Sequence, residues 1–235
     1  MSIHGDNTHV IIAGASGLIG QELLHRLNSE SAISSIYALS RRPLNIHQSQ
    51  ASAPDKVHTI IDNELRVTQW DDSFEKPSIG FICLGTTLKQ AGSKQALEKV
   101  DYDLVCHVAQ TMHLLGVKRI AVVSSYGATK DSLSHYLKCK GKMEQTVSKM
   151  GFEQVVFLRP GPLVGVRETP RSDEKMLQFV MKFIKPLMLG KLANFIPIPA
   201  EDVAQAMLFK MFQPQHHSID ILNSIEMRAL LSKYQ

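Results

Sequence analysis

Cysteine is scarce. Cys83, Cys106 and Cys139 are the only three in 235 residues, an odd number with no C-x-x-C spacing. That argues against a disulfide framework and makes a reducing cytoplasm the expected location. No long basic run occurs either: 26 Lys and Arg against 22 Asp and Glu give a net charge of +4, scattered along the chain. Nucleic-acid binding needs a clustered basic surface, so none is expected. The most apolar later stretch, MLQFVMKFIKPLMLGKLANF from Met176, is broken by Lys182, Lys185, Pro186 and Lys191. A membrane-spanning helix needs about 20 consecutive, predominantly apolar residues, so no transmembrane segment is expected. The opening residues MSIHGDNTHVIIAG combine no basic start, apolar run and small-residue cleavage site, and read as neither a secretory signal nor an anchor. Ten histidines are present. His4 and His9 lie near the start and His216 and His217 in a polar stretch, with no H-x-x-x-H beside a carboxylate, so no metal site is expected.

What is present fits an ordinary globular protein: 44% hydrophobic and 20% charged residues. The length suits a single α/β domain, long enough to bury a core without disulfides or metals. Short apolar runs at HVIIA (from His9), SIYAL (Ser35), VHTII (Val57), IGFICLG (Ile79), RIAVVSS (Arg119) and QVVFLRP (Gln154) read as buried strands. Helical patterns lie between several of them: LIGQELLHRLN, Ser93 to Leu115, and LSHYLKCKGKMEQTVSKM, whose apolar positions include Leu133, Leu137, Met143 and Val147. Parallel neighbours need crossovers, so the alternation predicts a Rossmann-type, doubly wound parallel sheet. From about Leu163 the rhythm is lost. Residues 163–235 are expected to add a small substrate-side or lid portion to a single domain spanning 1–235. Met176 to Leu189 reads as an apolar helix, of the core or lid first and of a dimer face as the alternative, and IPIPAEDVAQAMLFKMF as a helix with acids at its start.

In HVIIAGASGLIGQELL, Gly14, Gly17 and Gly20 stand between a strand and an amphipathic helix in the spacing G-x-x-G-x-x-G. The first glycine permits a tight turn, the second lets a pyrophosphate approach the backbone, and the third allows close helix–sheet packing. A helix N-terminus offers free N–H groups to phosphate, and Ser16 could add a hydroxyl. The second strand runs into Arg41 and Arg42. An acid that would accept the ribose hydroxyls of NAD is missing there, and two guanidiniums suit the 2′-phosphate of NADP instead.

Tyr-x-x-x-Lys occurs twice, as Tyr126 with Lys130 and Tyr136 with Lys140. The first pair straddles a turn broken by Gly127. The second lies in a helical pattern, where residues four apart share a face. An ammonium beside a phenol favours phenolate, and such a tyrosine can exchange a proton with a carbonyl or alcohol. Ser124 and Ser125 end the preceding strand and could hold the reacting oxygen.

These motifs resemble the short-chain dehydrogenase/reductase superfamily in its atypical branch. FICLGTTLKQAGSKQALEKVDYDLV and FLRPGPLVGVRETPR, together with SRR and VSSYGATKDSLSHYLKCKGKME, are similar to the oxidoreductase group of the HIV Tat-interacting protein family, from about His9 to Met211. The resemblance implies a Rossmann fold binding NADP(H). It implies Ser16, Gly17, Leu18 and Ile19 at the diphosphate and Arg41 and Arg42 at the 2′-phosphate. Leu84 and Gly85 would line the adenosine side, Leu163 would lie by the nicotinamide, and Arg171 would contact the cofactor. Tyr136 would be the proton donor or acceptor, and Lys140 would bind the nicotinamide ribose. Ser125 matches the usual serine, with Ser124 as the alternative. Many members carry an asparagine on the helix before the serine strand; His107, Gln110 and His113 lie in that helix here, and no asparagine does.

The sequence therefore predicts an NADP-dependent oxidoreductase acting on a small-molecule carbonyl or alcohol, as a monomer or homodimer. The rival is an NADPH-binding regulator that acts through a protein partner without turnover.

Overall fold

The computed structural model of the protein describes residues 7–44, 56–164 and 190–234. Arg171 and the stretch Met176 to Leu189 lie outside the described residues. The chain opens with strand β1 (Thr8–Ala13), helix α1 (Leu18–Ser29), β2 (Ile33–Ser40), β3 (Val57–Ile61) and β4 (Ile79–Ile82). Short helices α2 (Leu88–Ala91) and α3 (Lys94–Glu98) lead through a π-helical turn, Lys99–Leu104, into α4 (Val105–Leu114). Then come β5 (Arg119–Val123), α5 (His135–Val147), β6 (Gln154–Arg159) and the short β7 (Leu163–Val164). A 3-10 turn (Gly190–Phe195), β8 (Ile198–Pro199), α6 (Ala200–Phe212), β9 (Ile219–Asn223) and α7 (Ser224–Leu231) complete the order.

Seven strands form one sheet in the order β3-β2-β1-β4-β5-β6-β9, every pairing parallel. This is the expected Rossmann-type architecture. Successive side chains of a strand point to opposite faces. In the central strands both faces are buried, which explains why those strands are apolar without alternation. Val10 and Ile12 join one apolar cluster with Leu23 and Leu27 of α1 and Val203 and Met207 of α6. Ile11 and Ala13 join the other, with Val108 and Met112 of α4 and Met143 and Val147 of α5. The strand order reverses between β1 and β4, and the carboxyl ends there open the crevice in which such folds bind ligands.

Three details depart from the sequence reading. Leu133 is fully exposed, because the Ser134 hydroxyl caps the Leu137 N–H at 3.5 Å and α5 starts only at His135. The helix expected from Ser93 to Leu115 is interrupted by the π-helical turn. The chain beyond Leu163 also returns to the main sheet, since β9 pairs with β6 as its seventh strand. β9 lies at the sheet edge with Ile219 and Ile221 exposed, so its sequence lacks the continuous apolar run of a central strand.

Candidate functional site

The β1–α1 turn is made of close backbone contacts. Gly14 has φ +87°, and a Cβ there would stand 2.7 Å from the Cys83 carbonyl carbon. A Cβ on Gly20 would stand 2.0 Å from the Gly14 oxygen. These contacts press α1 against the ends of β1 and β4. The helix N-terminus carries no side-chain cap and no acidic residue in its first turn, so its N–H groups remain open to an anion.

The turn faces a cleft of about 330 Å³, within the usual range for small-molecule sites. Ser16, Gly17, Leu18 and Ile19 line one end, and Leu84 and Gly85 line its wall. Ser124, Ser125, Tyr136, Lys140 and Leu163 line the other end. Gly14 and Gly20 lie behind the turn as packing positions. Arg41 and Arg42 are exposed immediately after β2, apart from the cleft lining. Sequence reasoning did not assign Gln21, Cys83, Thr86, Thr87, Gln90, Val123, Pro160 and Gly161 of the lining to the site. Pro160 and Gly161 follow β6 at a strand end, the one positional signal that could have marked them.

The two Tyr-x-x-x-Lys pairs separate clearly. Tyr126 donates to the Lys191 carbonyl at 3.4 Å and stacks edge-on with Phe195, while Lys130 is exposed. Tyr136 and Lys140 lie on α5 with both side chains at the cleft. Lys140 is almost wholly buried. Its ammonium pairs with Asp101 Oδ1 at 2.8 Å and donates to the Val123 carbonyl at 3.2 Å. Burial opposes the charged form, but Tyr136, Asp101 and Glu144 together outweigh it and raise the Lys140 pKa above the usual lysine value. Glu144, one turn further along α5, is held by Arg159 through a two-pronged contact, Nε to Oε1 at 2.9 Å. Ser124 Oγ is buried and has no hydrogen-bond partner among the described residues. Burial pushes the Cys83 thiol up to about 12, so this cleft-lining cysteine stays protonated.

Beside α5, Glu98, His135 and Cys139 converge with their polar atoms within 4.8 Å of one another. His135 Nε2 lies 3.2 Å from the Lys94 carbonyl and 3.5 Å from Cys139 Sγ, and Glu98 pairs with Lys142 at 3.6 Å. Hydrogen bonding and ion pairing account for this cluster.

The family model HIM1 matches residues 78–191. Mitochondrial protein FMP52 of Meyerozyma guilliermondii is 31% identical over 211 residues, covering 87% of this chain and 85% of that protein. The chain belongs to the FMP52 family. Mitochondrial protein fmp52 of Emericella nidulans is 34% identical over 176 residues, covering 73% of each. Protein HTATIP2 of Rattus norvegicus is 29% identical over 218 residues, covering 93% of this chain and 87% of that one. The resemblance to the atypical short-chain dehydrogenase/reductases of the Tat-interacting group therefore holds.

Among solved structures, MoeE5 in complex with UDP-glucose and NAD superimposes with a TM-score of 0.64 at 16% identity, over 98% of this chain and 82% of that one. UDP-glucuronic acid 4-epimerase from Bacillus cereus in complex with NAD gives 0.65 at 13% identity, over 92% and 76%. At such identities the likeness concerns the fold, which is of NAD(P)-binding type. The FMP52 relatives are named mitochondrial, which overturns the cytoplasmic location drawn from the cysteine pattern. Three unpaired thiols are compatible with any reducing compartment, so that criterion does not single out the cytosol. Among the described residues, no helix is long and apolar enough to cross a membrane.

Proposed function

We propose that the protein is an NADP(H)-dependent oxidoreductase acting on a carbonyl or alcohol. The observation that carries this reading is a single cleft that joins an open, glycine-built helix N-terminus to Tyr136, Lys140 and an unpartnered, buried Ser124 hydroxyl. The dinucleotide supplies a hydride donor or acceptor when bound. The N–H groups at the start of α1 and the Ser16 hydroxyl suit its diphosphate, and the wall at Leu84 and Gly85 suits the adenosine side. Leu163 suits the nicotinamide side, and Arg171 is kept as a further cofactor contact.

Arg41 and Arg42 favour NADP over NAD. Both are exposed just beyond β2, and no acid occupies that strand end. Each hydrogen bond to a charged group contributes roughly 1.5–3 kcal/mol, so one contact to a 2′-phosphate gives about ten- to a hundredfold preference.

Tyr136 exchanges the proton with the substrate oxygen. A buried ammonium on the same helix face stabilises the negative charge that develops on the phenolic oxygen. A serine hydroxyl at the end of β5 holds the reacting oxygen. Ser124 and Ser125 both line the cleft, and Ser124 is the one whose buried oxygen lacks a partner, which a substrate oxygen would satisfy.

The test is NADPH consumption across a panel of aldehydes and ketones by wild type and Tyr136→Phe. Turnover in wild type that falls at least about a hundredfold in the variant, with NADPH binding retained, supports the mechanism. Equal turnover in the two rules it out, and NADPH binding without turnover of any substrate favours the regulatory role.

A further inference from the structure

The lysine of the cleft has a partner that the Tyr-x-x-x-Lys pattern does not contain. Asp101 lies 39 positions before Lys140 in the sequence, on the π-helical turn Lys99–Leu104 between α3 and α4. Its carboxylate is wholly buried. One oxygen, Oδ1, faces the Lys140 ammonium at 2.8 Å and has no other hydrogen-bond partner. The second, Oδ2, accepts from the Thr86 N–H at 3.0 Å, in the segment that lines the cleft after β4. Gly85 leaves room for the pair, since a Cβ there would stand 3.3 Å from Oδ1 and 3.5 Å from Lys140 Nζ. π-Helical turns are rare and gather at functional sites, because the extra residue redirects side chains from the regular helical face.

We infer that Asp101 is a positioning residue of this site: its carboxylate keeps the buried Lys140 ammonium charged and turned toward the cleft. This rests on the reading of the cleft as a nicotinamide-dinucleotide site. An ammonium has three N–H donors. Asp101 and the Val123 carbonyl take two, and the third is left for a ribose hydroxyl at the cleft. The groups facing Lys140 are Asp101 from the π-helical turn, the Val123 carbonyl from β5, and Tyr136 and Glu144 from its own helix. Glu144 is committed to Arg159, so Asp101 is the counter-charge within ion-pair distance. A buried ammonium without a counter-charge gives up its proton readily. The raised Lys140 pKa agrees with a counter-charge in place.

Two measurements test this, with Asp101→Asn as the main variant because the amide keeps shape and an acceptor while removing the charge. The first needs no cofactor: NMR of protein labelled at lysine 13Cε, with Lys140→Met identifying the resonance. The Lys140 signal should titrate above the ordinary lysine range in wild type and at distinctly lower pH in Asp101→Asn. An unchanged midpoint overturns the inference, whatever the cofactor turns out to be.

The second is NADPH titration from pH 7 to 10. Wild-type affinity should be flat. Asp101→Asn should stay within a few-fold of wild type at pH 7 and weaken by about tenfold or more by pH 10, as a charged hydrogen bond is lost. Lys140→Met should be weak throughout, and Asp101→Asn/Lys140→Met should match it, because a residue acting only through Lys140 adds nothing once the lysine is gone. The double variant also removes both charges together and serves as the folded control. A loss in Asp101→Asn that is equal at every pH and adds to that of Lys140→Met would assign Asp101 a purely structural role and overturn the inference. Absence of NADPH binding by wild type, with the NMR shift intact, would instead strike the cofactor reading while leaving Asp101 as the keeper of the lysine charge.

Discussion

The two ends of the cleft are built on opposite plans. At the β1–α1 end the working surface is backbone: side chains are absent at Gly14 and Gly20 so that helix and strands can close on one another. At the α5 end it is a set of side chains: Lys140 and Asp101, fixed by burial and charge pairing, with the buried Ser124 and the half-buried Tyr136. A backbone site fails when anything is added to it, whereas a charge-paired site fails when one partner is taken away.

The largest effect is expected from adding to the first end. Gly20→Val places side-chain carbon on the Gly14 oxygen, which only a displacement of α1 relieves. Overpacking against side chains that can shift costs about 1–3 kcal/mol, and a 2.0 Å approach to rigid backbone costs well beyond that range. NADPH binding should be lost and thermal unfolding should come earlier. A variant with wild-type affinity would show that the turn does not hold the diphosphate.

Subtraction at the other end comes next. Lys140→Met leaves Asp101 buried without a counter-charge, and breaking a buried pair costs about 3–5 kcal/mol. For a chain of this size that corresponds to roughly 6–20 °C in Tm by calorimetry. Pairing the change with Asp101→Asn should restore part of the loss. A double variant less stable than either single one would contradict the ion-pair account.

These two ends also differ in how far the sequence discloses them. The glycine turn is local: three glycines within seven residues, flanked by a strand and a helix, specify their own geometry. Tyr136 and Lys140 are legible for the same reason, since one helical turn brings them to one face. Asp101 is not, because it reaches Lys140 only through a π-helical turn that breaks the helical period on which a face could be counted. β9 escaped notice on similar grounds: an edge strand with two outward isoleucines carries too weak an apolar pattern, and its place is set by long-range pairing with β6. Leu133 fits the apolar spacing of α5, but the cap at Ser134 decides where that helix begins.

A smaller effect is expected at the arginines, which lie outside both ends. Arg41→Ala should weaken NADPH binding about tenfold or more and leave NADH almost unchanged. An equal loss for both cofactors would remove the 2′-phosphate from the account. The smallest effect is a pH slope. Burial pushes Cys83 up to about 12 and Cys106 up to about 11, so above the ordinary thiol value of 9.0 the folded chain keeps protons that the unfolded chain releases. Lys140, also raised, acts in the same direction at still higher pH. Stability should therefore fall steadily as pH climbs through this range, and denaturation midpoints at successive pH values would show it. A rising midpoint would contradict the burial of these groups.

The central claim is that one cleft joins a dinucleotide-binding turn to a proton-transfer helix. It is tested most directly by titrating the purified protein with NADPH and NADH while following nicotinamide fluorescence. The account predicts saturable NADPH binding, weaker by about tenfold or more for NADH. Binding of neither nucleotide would contradict it, and the proton-transfer role of Tyr136 would fall with it.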